Sequence, residues 1–333
     1  MIPASFDYVR PSSLGEAVQV LADFGEEAKV LSGGQSLLPL LRLRLAYPSL
    51  LVDVARLEEL RGIRDEDGHV RIGAATTHDE VVRSPLVNAE CPLVALTTAT
   101  VADPAVRHRG TFGGSLAHAD PAGDLPAVAV ALDMEFVIHS SSGERVVAAR
   151  DFFVDYLETA LEPGEILTAI RVPKLGEGWG FHYEKFHRTA QAWAIVGVAA
   201  AVRVSGGTNG ALRRIEEARV GLTNMGPTPV RATQVESAVA GAEVNGSHGL
   251  YGSMANGSAG ASGSGKVNGS GSGAYSTSGA HGGSSGGDAV RQAAAKADQD
   301  TSPSGDLHAA PDYRRHLARV LTHRALLSAA TTI

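Results

Sequence analysis

Two short segments carry the residue types that could do chemistry. Ser32 to Ser36 reads SGGQS and Thr111 to Ser115 reads TFGGS, each a glycine pair flanked by hydroxyl residues. A glycine pair lets successive backbone N–H groups point into one concavity, and the missing Cβ lets an oxyanion come close. Ser and Thr add donors, and each segment leads into a run with helical character whose first amides add positive potential. One such loop alone reads as an ordinary turn, whereas two in one domain suit a diphosphate. No G-x-G-x-x-G stands between a strand and a helix outside a low-complexity stretch, and no G-x-x-x-x-G-K-[ST] occurs. The expected ligand is therefore a dinucleotide held by something other than a Rossmann fold or a P-loop.

The remaining chemistry-bearing residues narrow the class. Asp103, His108, His118 and Asp120 flank the second loop, but their spacing fits no standard zinc pattern and Asp-Pro steps make turns, so no metal site is expected. Outside the low-complexity stretch no G-x-S-x-G or comparable nucleophile is present. Cys91 is the single cysteine, which excludes an internal disulfide, a thiolate zinc site and an iron–sulfur cluster. An electron carrier in this chain has to be organic. A formal net charge of -7 without any basic block argues against nucleic acid or an anionic membrane surface as partner. The N-terminus lacks a basic-then-apolar leader and no run of about 18 apolar residues exists, so a cytoplasmic protein is expected.

With 333 residues, 44% hydrophobic, the chain can bury two cores. Ser13 and Glu16 form a capping box for a first helix whose Leu14, Ala17, Val18 and Leu21 repeat at helical spacing. AKVL, the first glycine loop, a short helix around Leu37 to Leu43 and SLLVDV make a βαβ-like unit. Asp67-Gly68 and Ser142-Gly143 mark two hairpin turns. Helices are expected over Thr77 to Val82 and Leu93 to Ala99. FFVDYLETALEPGEILTAIRVP reads as a helix, a Pro163-Gly164 break and a strand. LGEGWG, Leu175 to Gly180, is a domain boundary, followed by strands in AWAIVGVAAAVRV and ARVGLTNM and by helices over Val230 to Ala240 and Arg314 to Ala330.

From Asn245 to Gly287, 15 of 43 residues are Gly and 11 are Ser, with Lys266 the one charge. Such a segment cannot bury enough apolar surface to offset its ordering entropy, so a flexible insertion, residues 243–305, is expected. The NGS triplets at Asn245, Asn256 and Asn268 read as products of low complexity rather than glycosylation sites.

LSGGQSLLPLLRLRLAYPSLLVDV, TVADPAVRHRGTFGGSLAHADPAGDLPAVAVAL, EPGEILTAIRVP and YEKFHRTAQAWAIVGVAAAV together resemble the FAD-binding medium subunit of molybdenum hydroxylases, in particular the aerobic carbon monoxide dehydrogenase type. The resemblance covers nearly everything outside the Gly/Ser stretch. It implies an α+β protein. Residues 1–177 would form an FAD-binding domain of the p-cresol methylhydroxylase/vanillyl-alcohol oxidase type with two α/β subdomains. Residues 178–333 would form a three-stranded antiparallel sheet with a helical bundle. It also implies that Val30, Leu31, Ser32, Gly33, Gly34, Gln35, Ser36 and Leu37, with Thr111, Phe112, Gly113, Gly114 and Ser115, hold the diphosphate. Val101, Asp124, Leu167, Lys185 and Trp193 match positions beside the cofactor. Asp124 could alternatively cap the helix that follows, Lys185 could be a surface lysine, and Trp193 could be core. Gln35 stands where a histidine is common in that branch.

The function implied is electron transfer. A large subunit with the molybdopterin cofactor oxidises a small substrate, a small subunit with [2Fe-2S] clusters relays electrons, and this chain's non-covalent FAD passes them to an external acceptor such as quinone. A dimer of heterotrimers, in the cytoplasm or peripheral to the inner face of the membrane, goes with that reading. The competing reading is a stand-alone FAD-dependent oxidase or dehydrogenase acting on its own organic substrate.

Overall fold

The computed structural model describes residues 2–206, 212–245 and 285–332. The first unit is a three-stranded parallel sheet in the order Asp7–Val9, Leu50–Asp53, Ala28–Leu31. Helix Leu14–Phe24 buries Ala17, Val18 and Leu21 in the core of this unit. The Ser13 hydroxyl accepts the Glu16 N–H, but the Glu16 carboxylate takes the Ser12 N–H and hydroxyl instead of reaching Ser13, so the expected capping box is half formed.

The second unit is a five-stranded antiparallel sheet in the order Ile63–Glu66, His69–Gly73, Ile166–Pro173, Glu135–Ser140, Gly143–Ala148. Short helices between Thr77 and Leu132 cover it around a core containing Phe112, Leu116, Leu125 and Phe136. The Asp67-Gly68 turn joins the first pair, with Gly68 at φ 70. In the other hairpin Ser140 pairs with Gly143, so Ser141 and Ser142 make the turn and Gly143 opens the strand. A larger departure follows. After a four-residue helix, Ala149–Phe152, the chain forms a small hairpin, Phe153–Asp155 with Glu158–Thr159, where a longer helix was expected. Leu157 turns it at φ 57.

The third unit has the three long antiparallel strands expected, Trp179–Phe186, Val196–Ser205 and Leu212–Thr223, and two short strands, Val230–Arg231 and Glu243–Asn245, extend it to five. The apolar run of the central strand is explained by burial on both faces. Val198, Ala200 and Val202 belong to the core shared with helices Thr233–Val239, Ser285–Ala294 and Pro311–Thr331, while Ala199 and Ala201 join the core of the second unit. Gly221 lets that sheet lie against helix Asp124–Ala131, since a Cβ there would stand 2.0 Å from the Ala127 carbonyl oxygen.

Helix Ser285–Ala294 corrects the bounds of the expected insertion. It falls inside 243–305, yet Val290 and Ala293 are fully buried, and the turn beyond it is tied down by the Ser302 N–H on the Met225 carbonyl. Residues 246–284, with the triplets at Asn256 and Asn268, lie outside the described residues. Among the described residues no helix is long and apolar enough to cross a membrane.

Candidate functional site

A cavity of about 740 Å³ runs between the parallel sheet, the second unit and the C-terminal strands. Val30 to Leu37, Val101, Thr111, Gly114, Ser115, Asp124, Lys185 and Trp193 all line it. Phe112, Gly113 and Leu167 do not. The reason is helical periodicity in Phe112–His118: Phe112, Gly113 and Leu116 face the core, while Gly114, Ser115 and His118 face the cavity. Gly113 is a packing glycine, because a Cβ would stand 2.4 Å from that of Ala74. Leu167 is buried in strand Ile166–Pro173 opposite Ile138.

The two glycine loops differ in what they offer. TFGGS is a helix start whose amides are already used. The Phe112 N–H donates to the Thr76 carbonyl and Gly113 to Ala74, both at 2.9 Å; Gly114 donates to the Thr111 hydroxyl at 3.2 Å and Ser115 to the Thr111 carbonyl at 3.0 Å. In the first loop, by contrast, no N–H from Ser32 to Ser36 has a partner among the described residues. Backbone donors this close to a fold's interior need an acceptor, and a run of five beside an open cavity supplies a nest for an oxyanion. Gly33 is wedged so closely that a Cβ would lie 2.3 Å from the Arg109 carbonyl oxygen, and Gly34 sits at φ 74. The Thr111 hydroxyl donates to Ser32 Oγ at 3.1 Å and ties the two segments together. These residues fit a diphosphate-bearing cofactor, with the donors on the first loop.

At the C-terminal end of the cavity lies a buried ion pair. Asp124 is the first residue of its helix, after the cap Gly123, so it is not the N-cap. Its carboxylate accepts from Lys185 Nζ and from the Tyr183 hydroxyl, each at 2.7 Å, and Lys185 also donates to the Thr100 carbonyl at 3.1 Å. Both side chains are about nineteen-twentieths buried, at 6% and 5% exposure. Strand alternation puts Tyr183 and Lys185 on one face of Trp179–Phe186, which is why both reach Asp124. Burial raises the Asp124 pKa in spite of Lys185 and Tyr183, and it raises the Tyr183 hydroxyl well above its ordinary value. Trp193 stands at the rim, 55% exposed, and is not core. Its segment is held by Asn224, whose side chain donates to the Ala194 carbonyl, and by the Ile195 N–H on Phe186.

The four residues weighed for metal binding are occupied locally. Asp103 caps helix Pro104–Arg107, His108 lies 3.4 Å from Asp79, and His118 lies 3.9 Å from Asp120. Among the described residues no three His, Cys, Asp or Glu side chains gather as a metal set. Burial pushes the Cys91 thiol up to about 12, leaving it un-ionised.

His78 was not singled out from the sequence. It lines the cavity as the first residue of helix His78–Arg83, positioned by the Thr77/Glu80 capping box, and its buried Nδ1 has no partner. The T-x-x-E pattern of Thr77 and Glu80 is a signal for its place but not for its direction. Burial, joined by the Arg107 charge, lowers its pKa to about 4. A histidine buried neutral favours folding above its unfolded pKa of about 6.5, and that contribution is lost as pH falls through 4. The expected result is that His78→Gln, compared with the parent chain in urea titrations, gains about 3 kcal/mol of relative stability between pH 7 and pH 4. Parallel pH profiles would show that His78 is not buried neutral.

Comparison with known proteins gives the family. Residues 4–175 match the family model described as FAD binding domain in molybdopterin dehydrogenase, and residues 181–254 and 280–329 match the CO dehydrogenase flavoprotein C-terminal domain. The carbon monoxide dehydrogenase medium chain of Hydrogenophaga pseudoflava is 44% identical over 69% of this chain and 78% of its own. That of Afipia carboxidovorans is 41% identical over 72% and 82%. A solved carbon monoxide dehydrogenase from Hydrogenophaga pseudoflava, lacking the Mo-pyranopterin moiety of its cofactor, superimposes with a TM-score of 0.81 at 38% identity, covering 99% of this chain and 98% of its own. The chain belongs to the FAD-binding family of molybdopterin dehydrogenases. Within that class it is an FAD-containing oxidoreductase subunit of the carbon monoxide dehydrogenase medium-chain type.

Proposed function

We propose that this chain is the electron-transfer flavoprotein of a three-subunit molybdenum hydroxylase. It takes electrons from an iron–sulfur small subunit, served in turn by a molybdopterin large subunit, and passes them to quinone at the inner face of the cytoplasmic membrane. The complex is a dimer of heterotrimers. The observation that carries this reading is the run of amides from Ser32 to Ser36, without partners among the described residues, lining a cavity whose far end holds the Asp124–Lys185 pair. FAD, when bound, accepts electrons one at a time and releases them singly or in pairs. The residues do the rest. The first-loop amides and the Ser36 and Ser115 hydroxyls bind the diphosphate. Thr111 fixes the spacing of the two segments, and Lys185, held by Asp124, and Trp193 at the rim would line the rest of the bound cofactor. The relatives are named for carbon monoxide, glyceraldehyde, caffeine and nicotine, and the choice among such substrates belongs to the large subunit.

Affinity purification from the native host tests this. Molybdenum, iron and FAD arriving with one large and one small polypeptide are the expected result. A solitary yellow protein without metal would overturn it.

A further inference from the structure

Beside the Ser32–Ser36 loop lies a second cavity of about 360 Å³, which shares Leu31 to Gly34 and Thr111 with the first and adds Tyr8, Arg10, Arg56 and Arg109. Its floor is the carboxyl edge of the parallel sheet. Asp7–Val9 runs out into Arg10, Leu50–Asp53 into Ala55 and Arg56, and Ala28–Leu31 into Ser32 to Gly34. Thr77, His108 and Arg109 form the facing wall. In open sheets with parallel strands, ligands collect at this edge, where the loops leave the strands.

The charges around it are unbalanced. Arg10, Arg56 and Arg109 have no side-chain ion pair or hydrogen bond among the described residues. Asp53, the one carboxylate in the lining, is already taken: Oδ2 accepts the Tyr8 hydroxyl and Oδ1 the Ala55 N–H at 3.0 Å. Arg61 is paired with Glu80 at 2.9 Å, and His108 lies beside Asp79. Elsewhere Arg145, Arg171 and Arg231 each hold carboxylates directly. Three unpartnered guanidinium forks at one mouth, with the Ser32 to Gly34 segment lining the same space, offer the planar donors that phosphate oxygens take in pairs.

We propose that this cavity is a second anion site, separate from the flavin site, that binds a small phosphate ester. Its volume sits near the lower end for ligand sites, about 300 to 1,000 Å³, which suits a molecule up to mononucleotide size and is too small for a dinucleotide. The site rests on the flavin occupying the larger cavity across the loop.

Isothermal titration of the flavin-loaded full chain with AMP, and separately with inorganic phosphate, tests it. The expected result is saturable one-to-one binding of AMP, weakened at least tenfold in an Arg10→Gln/Arg56→Gln double variant that keeps its full flavin content. Absence of saturable heat with either probe at millimolar concentration would overturn the proposal, as would identical titrations for variant and parent. Release of flavin by AMP, read from visible absorbance in the filtrate, would make the cavity part of the flavin site and also overturn it. A chain purified without any flavin would instead count against the function proposed above.

Discussion

Gly33→Ala is expected to bind FAD about tenfold to a hundredfold more weakly than the parent chain. The added Cβ would stand 2.3 Å from the Arg109 carbonyl oxygen and 2.7 Å from Gly110 Cα, both backbone atoms with nowhere to go. The loop has to lift off the Arg109–Gly110 segment, which turns the unpaired Ser32 to Ser36 amides out of their common concavity. Overpacking of this kind costs about 1 to 3 kcal/mol, and about 1.4 kcal/mol is a factor of ten in affinity. Gly113→Ala is the contrast. Its Cβ would meet Ala74 in the core and not the cavity. It should lower the melting temperature of the flavin-free and flavin-loaded chains alike and leave the FAD dissociation constant within a few-fold. Fluorescence titration of the flavin-free proteins with FAD reads both, and an unchanged affinity in Gly33→Ala would contradict the assignment of the donors to the first loop.

Lys185→Met should be the most destabilising single change at the site. It strands Asp124, at 5% side-chain exposure, without its ammonium partner, and breaking a buried pair from one side costs about 3 to 5 kcal/mol. The sign of the pH dependence follows from burial. Burial already raises the Asp124 pKa, and removing Lys185 removes the largest opposing influence. An acid whose folded pKa is raised is tolerated protonated at low pH and penalised as it ionises, so the loss in Lys185→Met should grow as pH rises. The Asp124→Asn/Lys185→Met double variant removes both charges and should recover most of the stability without the added pH dependence of Lys185→Met. Urea midpoints for the three variants at several pH values check this. A loss in Lys185→Met that shrinks as pH rises would show that the pair is not the buried charge balance described here.

Local chemistry made much of the fold legible. Asp67-Gly68 announced a hairpin, the stretch from Thr77 to Val82 announced a helix, and the apolar runs around the first glycine loop announced a βαβ unit, because each depends on neighbours in the chain. In the second glycine loop, composition does not reveal which donors are spent, for a physical reason. Sequence alone does not distinguish a glycine amide left free from one spent on Thr76, Ala74 or the cap Thr111. The stretch from Phe153 to Thr159 has helical apolar spacing but turns at Leu157, held by tertiary pairing of Phe153 with Thr159. Composition averaged over the Gly/Ser-rich region hid Val290, Ala293 and Ala297, whose spacing is that of a packed helical face. Asp124 and Lys185, 61 residues apart, came from resemblance alone, since nothing local joins them. The direction His78 faces had no signal in the sequence.

The central claim is that this chain receives its electrons from an iron–sulfur partner. Its most direct test is anaerobic mixing of the flavin-loaded chain with the chemically reduced small subunit, following the visible absorbance of the flavin. The account predicts that the flavin bleaches on mixing and stays oxidised when the substrate is added to the isolated chain. A flavin that stays oxidised beside the reduced partner, yet is bleached by an organic substrate with no other subunit present, would contradict it.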